Sequence, residues 1–68
     1  MAKYRAFDYD QGDFLPGEFE EINEVLEVGR SAGDNFSVYD RSTIVLNYRD
    51  GRINIVDSRY HHLWEFMT

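Results

Sequence analysis

Three carboxylates in the stretch DYDQGD, those of Asp8, Asp10 and Asp13, have the residue type and spacing to hold a hard cation through oxygen. Set against the EF-hand pattern D-x-[DN]-x-[DN]-G-x₅-E, Asp8 and Asp10 fall on the first two ligand positions. Gly12 then stands where an oxygen ligand belongs, Asp13 where the turn glycine belongs, and Phe19 where the bidentate Glu belongs. With three key positions unmatched, the stretch reads as an acidic turn, and no metal is assigned. The tail offers a second candidate in HHLWE, where His61 and Glu65 lie four apart and share a face if the segment is helical. Zinc would need a further ligand from elsewhere, and the chain has no Cys and no histidine beyond His61 and His62. Two partly exposed histidines beside Trp64 are the better account, and they could make an interface pH-sensitive.

Nucleophilic catalysis finds no support. Ser31, Ser37, Ser42 and Ser58 lie in no G-x-S-x-G context, and the glycine-rich phosphate loops GxGxxG and GxxxxGK[ST] are absent. Carboxylates are plentiful, but acid–base work needs one held in a pocket that shifts its pKa. A chain of 68 residues has little room for such a pocket. The expectation is a protein that is not an enzyme and needs no cofactor.

Charge is the stronger signal. Residues 8–27 hold eight acidic side chains and no Lys or Arg, whereas the whole chain has thirteen acids and seven bases. Outside this stretch five acids face seven bases, so the acidity is local. Pro16 suits a first helical turn, and Leu15, Phe19, Ile22 and Leu26 recur at helical spacing, which predicts a helix over residues 16–28. Gly29 and the following SAGDN are expected to stop it. On that helix Glu20, Glu24 and Glu27 form a stripe opposite the apolar one, with Glu21 at its flank. Carboxylates three and four apart are neighbours and repel by a few tenths of a kcal/mol per pair, so a helix built for stability alone would alternate them with Lys. The functional expectation is an anionic face, formed by Asp8, Asp10, Asp13, Glu20, Glu21, Glu24 and Glu27, that docks on a basic surface of a partner protein. A row of carboxylates can imitate the phosphate field of nucleic acid, so an inhibitor or modulator of a nucleic-acid-processing enzyme fits this class. The structural rival is a solvated face that keeps the domain soluble.

Direct nucleic-acid binding is not expected, because the bases are scattered, although Arg49 and Arg52 gather at a hairpin tip. That basic tip could meet the acidic helix of a second copy. Eleven aromatic residues are more than so small a core can enclose, so some should serve an interface. Tyr39, Tyr60, Trp64 and Phe66 are the candidates, and a self-associating structural or regulatory subunit, a homodimer, is the alternative function.

These residues need a scaffold. Residues 3–9 read as a strand and 10–15 as a turn. Residues 43–57 fold about Asp50-Gly51 into a hairpin pairing Tyr48 with Ile53, Leu46 with Ile55 and Ile44 with Asp57 on an apolar face. The other face pairs Arg49 with Arg52, Asn47 with Asn54 and Val45 with Val56. Residues 35–40 form a shorter strand. The tail, residues 58–67, matches both a helix capped by Asp57 or Ser58 and a strand. The fold expected is α+β: a small antiparallel sheet of three to four strands against one amphipathic acidic helix, with a short C-terminal helix if the tail is helical. One domain, 1–68, is all the length allows. The lack of cysteine suits a reducing cytoplasm, MAKYRAFDYD has no apolar signal region, and no apolar run could span a membrane.

Overall fold

The computed structural model describes residues 4–61. In chain order they form β1 (Tyr4–Asp8), β2 (Asp13–Phe14), α1 (Ile22–Ala32), β3 (Asn35–Asp40), β4 (Thr43–Arg49) and β5 (Arg52–Ile55), followed by a 3₁₀ turn, Ser58–Tyr60. The strands make one antiparallel sheet in the order β2-β1-β3-β4-β5. α1 packs on one face of it, against β1 and β3. This is the expected α+β fold, with one strand more than foreseen: β2 is two residues long, too short for alternation to betray it.

The β4–β5 hairpin turns at Asp50 and Gly51, both at positive φ (52° and 82°), as a two-residue turn of this twist requires. Leu46–Ile55, Asn47–Asn54, Tyr48–Ile53 and Arg49–Arg52 pair as expected. The Ile44–Asp57 pair does not form. Instead the backbone N–H groups of Val56 and Asp57 both donate to the carbonyl of Val45, at 2.8 and 3.0 Å. On the other side of β4, Val38 pairs with Leu46 and Tyr39 with Ile44, so Val45 is a bulged, unpaired residue. The bulge breaks strict alternation and turns Val45 into the core beside Leu46, both fully buried. Val45 therefore does not share a polar face with Val56, which is 46% exposed. Val45→Ala is expected to cost about 2 kcal/mol in denaturant unfolding, and Val56→Ala less than about 0.5 kcal/mol. Equal costs would mean that the bulge does not form.

The helix begins six residues later than its apolar spacing predicts and runs past Gly29. Residues 16–21 are kept out of it by backbone pairing: Tyr4 and Phe19 exchange hydrogen bonds of 2.8 and 2.9 Å, and Leu15 N–H donates to Ala6 O at 2.8 Å. Phe19 still packs on the core, from an extended segment rather than from the helix. Gly29 is a buried helical residue, not a stop. The end comes at Gly33 and at Asp34, whose φ of 60° reverses the chain, with both N–H groups bonded to Gly29 O at 3.3 Å. The core beneath α1 centres on Phe36, stacked on Tyr48 at 5.0 Å, with Val25, Leu26, Val38, Val45 and Leu46 around it.

After β5, Asp57 caps the 3₁₀ turn by accepting from Arg59 N at 3.0 Å and from its guanidinium at 2.6 Å. These contacts hold the Asp57 carboxyl below its usual value and raise Arg59. Tyr60 Oη lies 3.0 Å from Tyr4 Oη and donates to Asp40 Oδ2 at 3.1 Å. Burial first, then these bonds, push its phenol well above the ordinary value. This turn is compatible with a short C-terminal helix; Trp64 and Phe66, with the remainder of residues 62–68, lie outside the described residues.

Candidate interaction surfaces

Six of the seven acids assigned to the anionic face are exposed: Asp10, Asp13, Glu20, Glu21, Glu24 and Glu27. The seventh is a correction. Asp8 ends β1 with its side chain on the helix side of the sheet, 1% exposed, and contributes nothing to a docking face. Among the described residues, none of the eight acids in residues 8–27 has an ion pair; the pairs present are Arg49–Asp50 and Arg59–Asp57. The fold also lengthens the acidic layer. Asp10, from the turn after β1, comes against Gly33 at the C-terminal end of α1, while Glu20, Glu21 and Glu24 gather at the N-terminal end. Carboxylates thus stand at both ends of an 11-residue helix, with Glu27 between them.

The late helix start changes the energetics of these glutamates. Glu21 is now the N-cap residue, without a side-chain cap bond, and Glu24 lies in the first turn. Negative charge there is favoured by the helix dipole, by about 0.3–1 kcal/mol per group. Glu20, Glu21 and Glu24 thus have a local structural reason, and Glu27 is the glutamate on the helix without one. The row Glu20–Glu24–Glu27 is not a single helical stripe, since Glu20 precedes the helix.

On the sheet face away from α1, the strands present a different chemistry. Alternation along β1 turns Arg5 and Phe7 outward. Phe7 lies opposite Phe14 of β2 with ring centroids 5.1 Å apart, and Phe14 meets Tyr39 of β3 at 5.6 Å. Tyr9 extends the row at 5.4 Å from Phe7, and the Arg5 guanidinium lies 4.0 Å over the Phe14 ring, within cation–π range. Tyr9 Oη bonds to Ser37 Oγ at 2.6 Å, and Ser37 Oγ donates to Asn47 Oδ1. Arg49 and Arg52, paired across the hairpin, stand on this same face. The acids within strands, Asp8, Asp13 and Asp40, all point to the other side by register.

Of the candidate interface aromatics, Tyr39 joins this cluster, whereas Tyr60 is tied to Tyr4 and Asp40 on the helix side. Arg5, Phe7, Tyr9 and Phe14 do not stand out as a group in the sequence. The two-residue period of Arg5, Phe7 and Tyr9 carried a signal for one strand, but only sheet pairing adds Phe14 and Tyr39. Among the described residues no group of three His, Cys, Asp or Glu side chains is arranged to hold a metal, and no helix is long and apolar enough to cross a membrane. Compared with protein-family models, with curated proteins and with solved structures, the chain matches none.

Proposed function

We propose that the protein is a small non-enzymatic binding module that docks its acidic layer, Asp10, Asp13, Glu20, Glu21, Glu24 and Glu27, on a basic surface of a partner protein. One observation carries the reading. These six exposed acids lie on the helix side and its approaches, unpaired among the described residues and with Arg30 as the one base on α1, while Arg5, Arg49 and Arg52 lie on the opposite face of the sheet. A molecule polarised in this way presents an anionic side to an incoming cation-rich surface and orients itself on approach. A basic groove that ordinarily takes nucleic acid is the partner chemistry that such a layer fits.

The test is capture by wild-type bait beside a Glu20/Glu24/Glu27→Gln variant. Neutral, nearly isosteric Gln is preferred to Lys, which would oppose the dipole in the first turn. A partner should bind wild type at low salt, leave at about 0.5 M salt, and be displaced by duplex DNA, with the variant retaining at least about tenfold less. Equal retention by both baits would sink the proposal.

A second reading is favoured by the half-buried ring cluster on the sheet face away from α1: self-association through Phe7, Phe14 and Tyr39. Sedimentation would then show a dimer that survives in the Gln variant and is lost in Tyr39→Glu.

A further inference from the structure

Asp8 is the group that the fold leaves hardest to explain. It is 1% exposed, and neither carboxylate oxygen receives a hydrogen bond. A carboxylate taken from water without donors is among the most costly groups a fold can bury, unless a positive charge compensates it. Its surroundings add negative charge instead. A methyl group built on Gly33 would lie 2.7 Å from Asp10 Oδ2 and 3.6 Å from Asp8 Oδ1, so the two carboxylates converge on one point of the backbone. That point is the C-cap of α1, where the helix dipole is negative and the last carbonyls lack helical partners. Asp13, directly opposite Asp8 across β1 and β2, places another acid on the same side of the sheet, a pairing that repels. No Lys or Arg among the described residues forms an ion pair with Asp8, Asp10 or Asp13.

We propose that Asp8 and Asp10, converging on Gly33 at the end of α1, form a binding site for a hard divalent cation of the calcium class. The donors are all oxygen, with no imidazole or thiolate among them, which favours calcium or magnesium over zinc. Calcium is preferred because it accepts irregular shells in which carboxylates are completed by backbone carbonyls and water. Gly33 has a role in this arrangement, since a Cβ there would press on the Asp10 carboxylate at 2.7 Å. The enclosed Asp8 oxygens admit a bare ion more readily than the guanidinium or ammonium of a partner. The site does not rest on the docking proposal, and its readout involves no partner.

The test is thermal unfolding of the full chain, stripped with chelator, at constant ionic strength, titrated with calcium chloride and separately with magnesium chloride. Asp10→Asn and Glu24→Gln each remove one carboxylate, and only the first touches the site. At a cation concentration ten times Kd, wild type and Glu24→Gln should gain about 5–10 °C in Tm, more readily with calcium. Asp10→Asn should lose most of that gain. No rise in wild type with either cation would overturn the site. An equal rise in Asp10→Asn would do the same, by reducing the effect to general screening. A rise with magnesium alone would overturn the calcium assignment.

Discussion

Gly29→Ala is expected to destabilise the protein by about 2 kcal/mol, although alanine is the better helix former. The propensity gain in a helix interior is about 1 kcal/mol. Against it, a Cβ on Gly29 would lie 2.6 Å from three atoms of the Phe36 ring, well inside contact distance. That ring is fully buried and stacked on Tyr48 at 5.0 Å, so it has nowhere to retreat. Overpacking of this kind costs about 1–3 kcal/mol or more, and with three short contacts the upper part of that range applies. The net loss should lower Tm by roughly 10 °C for a domain of this size. Adding Phe36→Leu in the same chain should recover part of the loss, giving a coupling of at least about 1 kcal/mol in a double-mutant cycle. A Gly29→Ala variant as stable as wild type would mean that the helix does not approach the sheet at this point.

The same residue marks what the sequence could reveal and what it could not. Glycine after an apolar helical stripe signals a stop when only local chemistry is considered. The reason for a glycine inside the helix is tertiary: the ring of Phe36, seven positions on, needs the space. The start of the helix is concealed for a related reason. Leu15, Phe19, Ile22 and Leu26 do all face the core, which is what the spacing conveyed. Leu15 and Phe19 reach it from an extended segment paired to β1, and periodicity cannot separate that from another turn of helix. The hairpin register was legible because Asp50-Gly51 fixes the turn and both faces must agree. It departs from expectation only where the bulge at Val45 breaks the alternation, which the unbroken apolar run Ile44-Val45-Leu46 conceals.

Charge was legible as composition and less so as geometry. The sequence places the acids in one region, and they remain together, but the late helix start gives Glu20, Glu21 and Glu24 a structural use at the N-terminus. This shifts weight within the anionic face toward Asp10, Asp13 and Glu27, the exposed acids without that explanation. The opposite face emerges only from pairing, since Arg5, Phe14, Tyr39 and Arg52 belong to four different strands. Conversely, the most conspicuous acidic motif yields one residue, Asp8, that no solvent-exposed role can explain.

Asp8→Val is accordingly expected to stabilise the protein, by about 2 kcal/mol in denaturant unfolding with chelator present. Position 8 ends a strand on the inner face, opposite Phe36 of β3, where a β-branched apolar side chain suits both conformation and surroundings. Replacing buried charge by well-packed apolar groups of similar volume commonly gains about 1–4 kcal/mol, and an Asp8 without donors is an uncompensated case. Wild type should recover about 1.4 kcal/mol of the difference when the cation stands at ten times its Kd, and the variant none. If Asp8→Val is instead less stable in chelator, the carboxylate has a compensating contact in the fold, and the argument for a cation loses its premise. A domain of this length buries only about 60% of its unfolded surface and has little stability to spare. Keeping an unneutralised charge in such a core is costly as packing, and it becomes intelligible once a bound cation supplies the missing positive charge.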